Sequence, residues 1–239
     1  MAFLELRSLV KNFDGLRATD NFTLDIAEGS LNALVGPNGC GKSTLFNLIT
    51  GVLTPDSGEI RFKGQNITRW PPHKIARLGI GRKFQVPAIF EELTVRENLI
   101  VAAKNKSQQE IIAEILAQIN LTKDPDMLAG ELAHGQKQWL EIGMLLAQAP
   151  SLILLDEPTA GMTGAETRAT ADLITRINRE RGMTVLVIEH DMGFIEHLAC
   201  PLHVMSKGQI LKSGNFTEIR NDDEVKALYF GQTEAMANA

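Results

Sequence analysis

Eight consecutive residues carry the densest chemical signal in this chain: Gly36, Pro37, Asn38, Gly39, Cys40, Gly41, Lys42 and Ser43. They match the phosphate-loop pattern G-x-x-x-x-G-K-S/T at all four constrained positions. Glycines at this spacing let backbone N–H groups converge on phosphate oxygens, Lys42 brings a cation to the outer phosphates, and the Ser43 hydroxyl suits Mg²⁺. The setting agrees with the pattern. Apolar residues in Leu31–Val35 precede the loop as a strand, and Thr44–Thr50 follows as a helix that stops at Gly51. A helix N-terminus after the loop adds partial positive charge where phosphates would lie. A Gly-rich turn with a surface lysine would need none of this context. The stretch, with Thr44, therefore implies a nucleoside triphosphate site.

Two further segments have the same grammar, an apolar strand that ends in polar residues. Leu152–Leu155 runs into Asp156 and Glu157. Acids at the C-terminal end of a buried strand lie beside the ligand crevice of a parallel sheet. Asp156 suits a direct or indirect role on Mg²⁺, and Glu157 suits orienting or deprotonating an attacking water. Thr184–Ile188 runs into Glu189-His190-Asp191, where the His190 imidazole is a candidate donor to a γ-phosphate oxygen.

The elements that must position these residues read as α/β. Phe3–Val10, Phe22–Ile26, Glu59–Lys63 and Ile80–Phe84 are strand-like, and Pro71-Pro72 opens a helix to about Leu78. The middle of the chain is helical: Thr94–Lys104, Ser107–Asn120 and Gln136–Gln148. Ile111, Ile112, Ile115, Leu116 and Ile119 form one apolar face there, which is core packing. After residue 151 the α/β alternation resumes with helix 164–181, helix 191–199 and strand 202–205. The Lys207-Gly208 turn follows, and short helices with a loose tail close the chain.

Length and composition set the frame. The 239 residues suit one sizeable domain or a core with a small subdomain. The 44% hydrophobic content is enough for a buried core. A net charge of −5 argues against nucleic acid as a main partner. The two cysteines, Cys40 and Cys200, have no metal-type spacing and fit a reduced compartment. No signal peptide is legible, and the apolar runs are too short to span a bilayer, so a membrane role requires a partner.

Taken together, the residues resemble the nucleotide-binding subunit of an ATP-binding-cassette (ABC) transporter. The family's motifs occur in order: Gly36–Thr44 as phosphate loop, Gln85 as the Q-loop glutamine, Leu132-Ala133-His134-Gly135-Gln136 as signature, Asp156-Glu157-Pro158 as the Walker B acids, and His190 as switch histidine. Phe13 stands where the family stacks an aromatic on adenine. The resemblance implies a single ABC ATPase domain over 1–239. Its α/β, P-loop NTPase core would comprise 1–85 and 151–239, with an N-terminal β subdomain and a helical insert at about 86–150. It implies ATP and Mg²⁺ as cofactors, with Ser43, Gln85 and Asp156 toward the metal and Glu157, His190 and Gln85 in catalysis. Ala133, His134, Gly135 and Gln136 would face the nucleotide of a second ATPase subunit in a head-to-tail dimer. Integral-membrane permeases would hold the pair at the cytoplasmic face of the inner membrane.

Segments such as Ile80-Gly-Arg-Lys-Phe-Gln85 and Ala160-Gly-Met-Thr163 resemble the urea-importer branch of the branched-chain amino-acid transporters, so urea is the expected cargo and amino acids the alternative. A soluble ABC ATPase without a permease is a further reading. A P-loop kinase or GTPase is disfavoured by the signature and by the absence of an Asn-Lys-x-Asp motif. Three positions depart from the family pattern. Ala133-His134 replaces Ser-Gly in the signature, Thr163 replaces an aspartate, and Cys40 precedes Gly41. The Ala133 change removes a hydroxyl donor, for which the His134 ring N–H is the expected replacement.

Overall fold

A computed structural model describes residues 2–83, 88–103 and 109–228. The chain opens with a hairpin of β1 (Leu4–Phe13) and β2 (Leu16–Ile26), then passes through β3 (Leu31–Val35) into α1 (Lys42–Ile49). β4 (Ser57–Phe62) and β5 (Gln65–Asn66) follow, then α2 (Pro72–Leu78) and β6 (Ile80–Lys83). Three helices come next: α3 (Val95–Ala102), α4 (Gln109–Gln118) and α5 (His134–Ala147). The remainder alternates as β7 (Leu152–Asp156), α6 (Gly164–Arg181), β8 (Thr184–Ile188), α7 (Met192–Leu198), β9 (Leu202–Ser206), β10 (Gln209–Gly214) and α8 (Phe216–Asn221).

The strands form two sheets. One is antiparallel in the order β2-β1-β4-β5, and the other has the order β10-β9-β3-β8-β7-β6. Within the second, β9 through β6 pair in parallel and β10 runs antiparallel to β9. Every residue of β3, β7 and β8 is buried. Parallel strands covered on both faces have this continuous apolar character. Side-chain alternation then assigns each residue to a layer. Ala33, Val35, Ile153, Leu155, Val185 and Val187 pack with the helices, against residues such as Leu99, Ile115, Leu140 and Ile174. Leu34, Leu152, Leu154, Leu186 and Ile188 pack instead with Phe46 of α1 and with Phe22 and Phe62 of the antiparallel sheet.

Helix starts follow from local chemistry. Thr94 caps α3 and Thr163 caps α6, each paired reciprocally with a glutamate three residues on, Glu97 and Glu166. Gly182, at φ 60°, ends α6 in the left-handed conformation. Among the described residues no helix is long and apolar enough to cross a membrane.

The structure differs from the sequence reading in several places, among them α1, which begins at Lys42 rather than Thr44, and the short β5, which was not expected. β1 and β2 are longer than Phe3–Val10 and Phe22–Ile26, because register shifts after Leu6, Leu9 and Lys11 break the period of two that marks a strand. α5 begins at His134 rather than Gln136. The expected tail after Lys207-Gly208 instead begins with β10. A register shift between Ile210 and Lys212, and exposure on an edge strand, hide its alternation.

β10 also completes a buried polar contact. His203 of β9 is held through Nδ1 to Ser213 Oγ at 2.8 Å and through Nε2 to Asn32 Oδ1 at 3.2 Å. A neutral ring donating from Nε2 and accepting at Nδ1 satisfies both partners, and burial pushes the His203 pKa below its ordinary value. The unfolded chain therefore binds the proton more readily. Stability should be complete above the usual histidine pKa of about 6.5 and fall as pH drops toward the lowered folded value. In denaturant titrations at stepped pH, His203→Asn should lose this component of the slope, which is at most about 1.4 kcal/mol per pH unit.

Candidate nucleotide-binding site

The phosphate loop leaves β3 at the C-terminal edge of the sheet and enters α1, which has Gly41 as its N-cap. Two close approaches shape the loop. A Cβ on Gly36 would lie 2.2 Å from the Met205 carbonyl oxygen, and one on Gly41 would lie 2.0 Å from that of Ala18. Gly41 also sits at φ 109°, a conformation costly for any residue with a side chain. The loop is thus clamped between β2 and the β9–β10 turn, where Gly208 N–H donates to the Cys40 carbonyl at 3.1 Å. Lys42 is buried, and its ammonium donates to the carbonyls of Gly36 at 2.8 Å and Pro37 at 3.0 Å. Ser43 is exposed on the first turn of α1 and Thr44 is half-buried beside it. Burial pushes the Cys40 thiol above its ordinary pKa despite Lys42 nearby. Phe13 lies at the tip of the β1–β2 hairpin, 40% exposed, with the Lys11 ammonium 5.7 Å from its ring centre.

The acids come together at the neighbouring strand ends. β7 and β8 pair so that Asp156 stands opposite Ile188, and Glu157 N–H donates to the Ile188 carbonyl at 2.9 Å. Glu157 adopts φ 47°, left-handed backbone that costs a non-glycine residue about 1–2 kcal/mol. Its half-buried carboxylate lies beside the His190 ring, Oε1 to Nε2 3.1 Å. Asp156 is buried and pairs with Arg82 of β6 at 2.9 Å. Gln85 lies outside the described residues, two positions past the end of β6.

Ala133 is the N-cap of α5 and offers no side-chain oxygen. Gln136 supplies half of a capping box by accepting the Ala133 N–H at 3.0 Å. The His134 ring reaches Ala160, Nε2 to carbonyl oxygen 3.0 Å, within the same chain. The donor expected to replace the missing serine hydroxyl across a dimer is therefore engaged internally. Gly135 is buried on the first turn of α5. Thr163 stands where an aspartate was the family expectation, and its hydroxyl caps α6.

Sequence reasoning passed over two groups that organise this edge. Glu189, 4% exposed, accepts Thr159 N–H at 3.0 Å and the Thr159 hydroxyl at one oxygen, and His190 N–H at 2.8 Å and Asp191 N–H at 3.3 Å at the other. It ties the turn after Glu157 to the turn that carries His190. Its signal was an acid directly after an apolar strand, read only as a neighbour of His190. The second group is the pair of cations that ends β6, Arg82 and Lys83. Arg82 bonds Asn47 of α1 at 2.6 Å as well as Asp156. Lys83 is fully buried, 3.6 Å from Glu141 of α5. Burial pulls the Lys83 pKa below its ordinary value, partly offset by Glu141, Asp156 and Glu189.

The residues present fit a nucleotide with a hard cation. The clamped glycines leave a cradle that a Cβ would fill, Lys42 supplies positive charge, and a hydroxyl and a carboxylate are the oxygen donors such a cation prefers. A phosphate loop after the central strand of a parallel sheet, acids at the next strand ends and a separate helix opening at His134-Gly135-Gln136 define an ATP-binding cassette. The family described as "ABC transporter" matches residues 19–160, and the chain belongs to that family. Its cassettes are ATPases that drive transport, and this protein is accordingly an ATP hydrolase. It is 36% identical to the high-affinity branched-chain amino acid transport ATP-binding protein BraF of Pseudomonas aeruginosa, over 96% of this chain and 98% of that one. It is 34% identical to the corresponding LivG protein of Salmonella typhimurium over the same shares. Among solved structures, the ADP conformation of MJ1267, an ATP-binding cassette of an ABC transporter, superposes with a TM-score of 0.88 at 32% identity, covering 97% of this chain and 99% of that one. The dimeric post-hydrolysis cassette MJ0796, bound to ADP and Pi, gives 0.77 at 25% identity over 89% and 98%.

The Glu189 contacts generate a test. Glu189→Gln replaces an acceptor by an amide donor among four N–H and O–H donors. Hydrogen bonds to a charged group contribute about 1.5–3 kcal/mol each, so a stability loss of at least about 2 kcal/mol is expected in urea unfolding, with ATPase activity reduced in the folded fraction.

Proposed function

We propose that this chain is the ATP-hydrolysing subunit of a membrane importer, working as a head-to-tail pair in which each phosphate loop meets the partner's signature helix. The observation that carries the reading is the Glu157–His190 contact at 3.1 Å, set at the strand ends beside the phosphate loop. Glu157 would orient and deprotonate the attacking water, and His190 would hold that carboxylate and donate toward the γ-phosphate. Gly36 to Thr44 would wrap the phosphates, with Lys42 exchanging its loop carbonyls for phosphate oxygens. Phe13 would stack on the adenine. Ser43 and Asp156, with Gln85, would hold Mg²⁺, which when bound neutralises phosphate charge. Ala133, His134, Gly135 and Gln136 would approach the partner's nucleotide with the N-terminus of α5, whose dipole favours an anion.

Coupling to a permease is supported by a groove of about 230 Å³ between α1, α2, β6 and α5, lined by Val52, Ile75, Gly81 and Leu145 among others. Gly81 and Arg82 of its lining precede Gln85 in the sequence. A permease docked there would place the chain at the cytoplasmic face of the membrane, and would move the helical segment at about 86–150 against a core of 1–85 and 151–239. For cargo, the relatives named for branched-chain amino acids favour that class over urea. Nothing in an ATPase subunit touches the cargo, so this part rests on kinship alone. Uptake of labelled leucine and of labelled urea by vesicles carrying the reconstituted transporter distinguishes the two.

Glu157→Gln keeps the shape and removes the base. ATP should still bind while steady-state hydrolysis falls about 10²-fold or more, and ATP-bound dimers should accumulate on gel filtration. Hydrolysis at the parental rate would reassign the base. Lys42→Ala removes the cation facing the outer phosphates, so calorimetry should show tight ATP binding lost rather than turnover merely slowed.

A further inference from the structure

We propose that Lys83 is a positioning residue for ATP hydrolysis: its ammonium, paired with the Glu141 carboxylate, sets how helix α5 sits against the catalytic strand ends. The proposal rests on the ATPase-pair reading above.

Lys83 is the last residue of β6 and is 0% exposed, and its Nζ lies 3.6 Å from Glu141 Oε2, on a side chain that is 7% exposed. Glu141 is seven residues beyond His134, so the contact grips α5 about 10 Å, or two turns, from the end that carries Ala133, His134, Gly135 and Gln136. A buried pair of this kind is a poor device for stability. Apolar side chains of similar volume usually hold two elements together as well or better, because neither requires a charge to leave water. What the pair does supply is a directional, charge-dependent contact between two elements that carry different parts of the site.

The neighbouring residue shows the other half of the arrangement. Successive side chains of a strand point to opposite faces. Arg82 turns to the α1 side, where it bonds Asn47 at 2.6 Å and Asp156 at 2.9 Å and lies 5.5 Å from the centre of the Phe46 ring. Lys83 turns to the α5 side. The end of β6 therefore ties the phosphate-loop helix and Asp156 on one face to the signature helix on the other.

The test compares full-length parent, Glu141→Gln and Lys83→Met/Glu141→Leu. Glu141→Gln keeps the shape and removes the partner charge, and its melting temperature is measured alongside its activity. The double variant removes both charges at similar volume and should melt at or above the parental temperature. Each is assayed for ATP affinity by calorimetry, for kcat and KM with Mg·ATP, and for ATP-dependent dimerisation. The expected result is unchanged ATP affinity of the monomer, kcat lower by about ten-fold or more, and weaker dimerisation, since small misplacements of a positioned group suffice for such losses. Parental kcat in either folded variant overturns the proposal. Failure of both to fold also overturns it, since the pair would then serve stability alone. A parent chain without ATPase activity would remove the underlying reading instead, an outcome separable from the others.

Discussion

Three five-residue strands, β3, β7 and β8, are buried at every position and apolar at all but Asn32, Asp156 and Thr184, and this burial on both faces is the constraint from which the rest of the site follows. A polar side chain within any of them needs a partner inside the core, as Asn32 of β3 has in His203. Chemistry is thereby confined to the ends. Parallel pairing brings the C-terminal ends to one edge, so the phosphate loop after Val35, the acids after Leu155 and the Glu189-His190 step after Ile188 become neighbours without any one of them recruiting the others. Burial of Leu34, Leu154 and Leu186 on one side and Val35, Leu155 and Val187 on the other makes the register unambiguous, because a one-residue slip would exchange the two layers.

The edge so formed is dense in charge, and its order comes from matched pairs. Arg82 answers Asp156, His190 meets Glu157, Lys83 answers Glu141, and four donors converge on Glu189. Glu189 has a particular place in this set. It binds three backbone N–H groups on two turns besides the Thr159 hydroxyl, so it fixes the backbone that carries Glu157 and His190. The left-handed backbone at Glu157 is held in the same way, by its N–H bond to Ile188.

The signature helix shows how a departure from a family pattern is absorbed. With alanine at the N-cap, the helix loses a side-chain acceptor that is typically worth about 1 kcal/mol. Gln136 recovers part of it by taking the Ala133 N–H. The imidazole added at His134 reaches the Ala160 carbonyl and so joins the signature to the turn beyond Glu157 in the same chain. Trp139 continues that seam one turn further, donating to the Thr170 hydroxyl of α6 at 2.8 Å.

Most of the architecture was legible in the residues. The phosphate loop was readable because its glycines are required by backbone geometry, and the structure supplies the cause at Gly36 and Gly41, which lie under carbonyls of Met205 and Ala18. The strands β3, β7 and β8 and the helices α2 and α6 were readable because burial on both faces, caps and proline starts are local signals. The identity of the loop's clamp was not, since it comes from β2 and from a β9–β10 turn about 170 residues later in the chain. β10 was hidden by its bulge. Lys83 and Glu141 were unremarkable as separate charges, one on a strand and one on a helix. Local sequence determines which residues a strand buries and where a helix begins, because those preferences are decided within a few residues. Which carboxylate faces which cation is a property of distant elements packed together, and only the tertiary structure decided it.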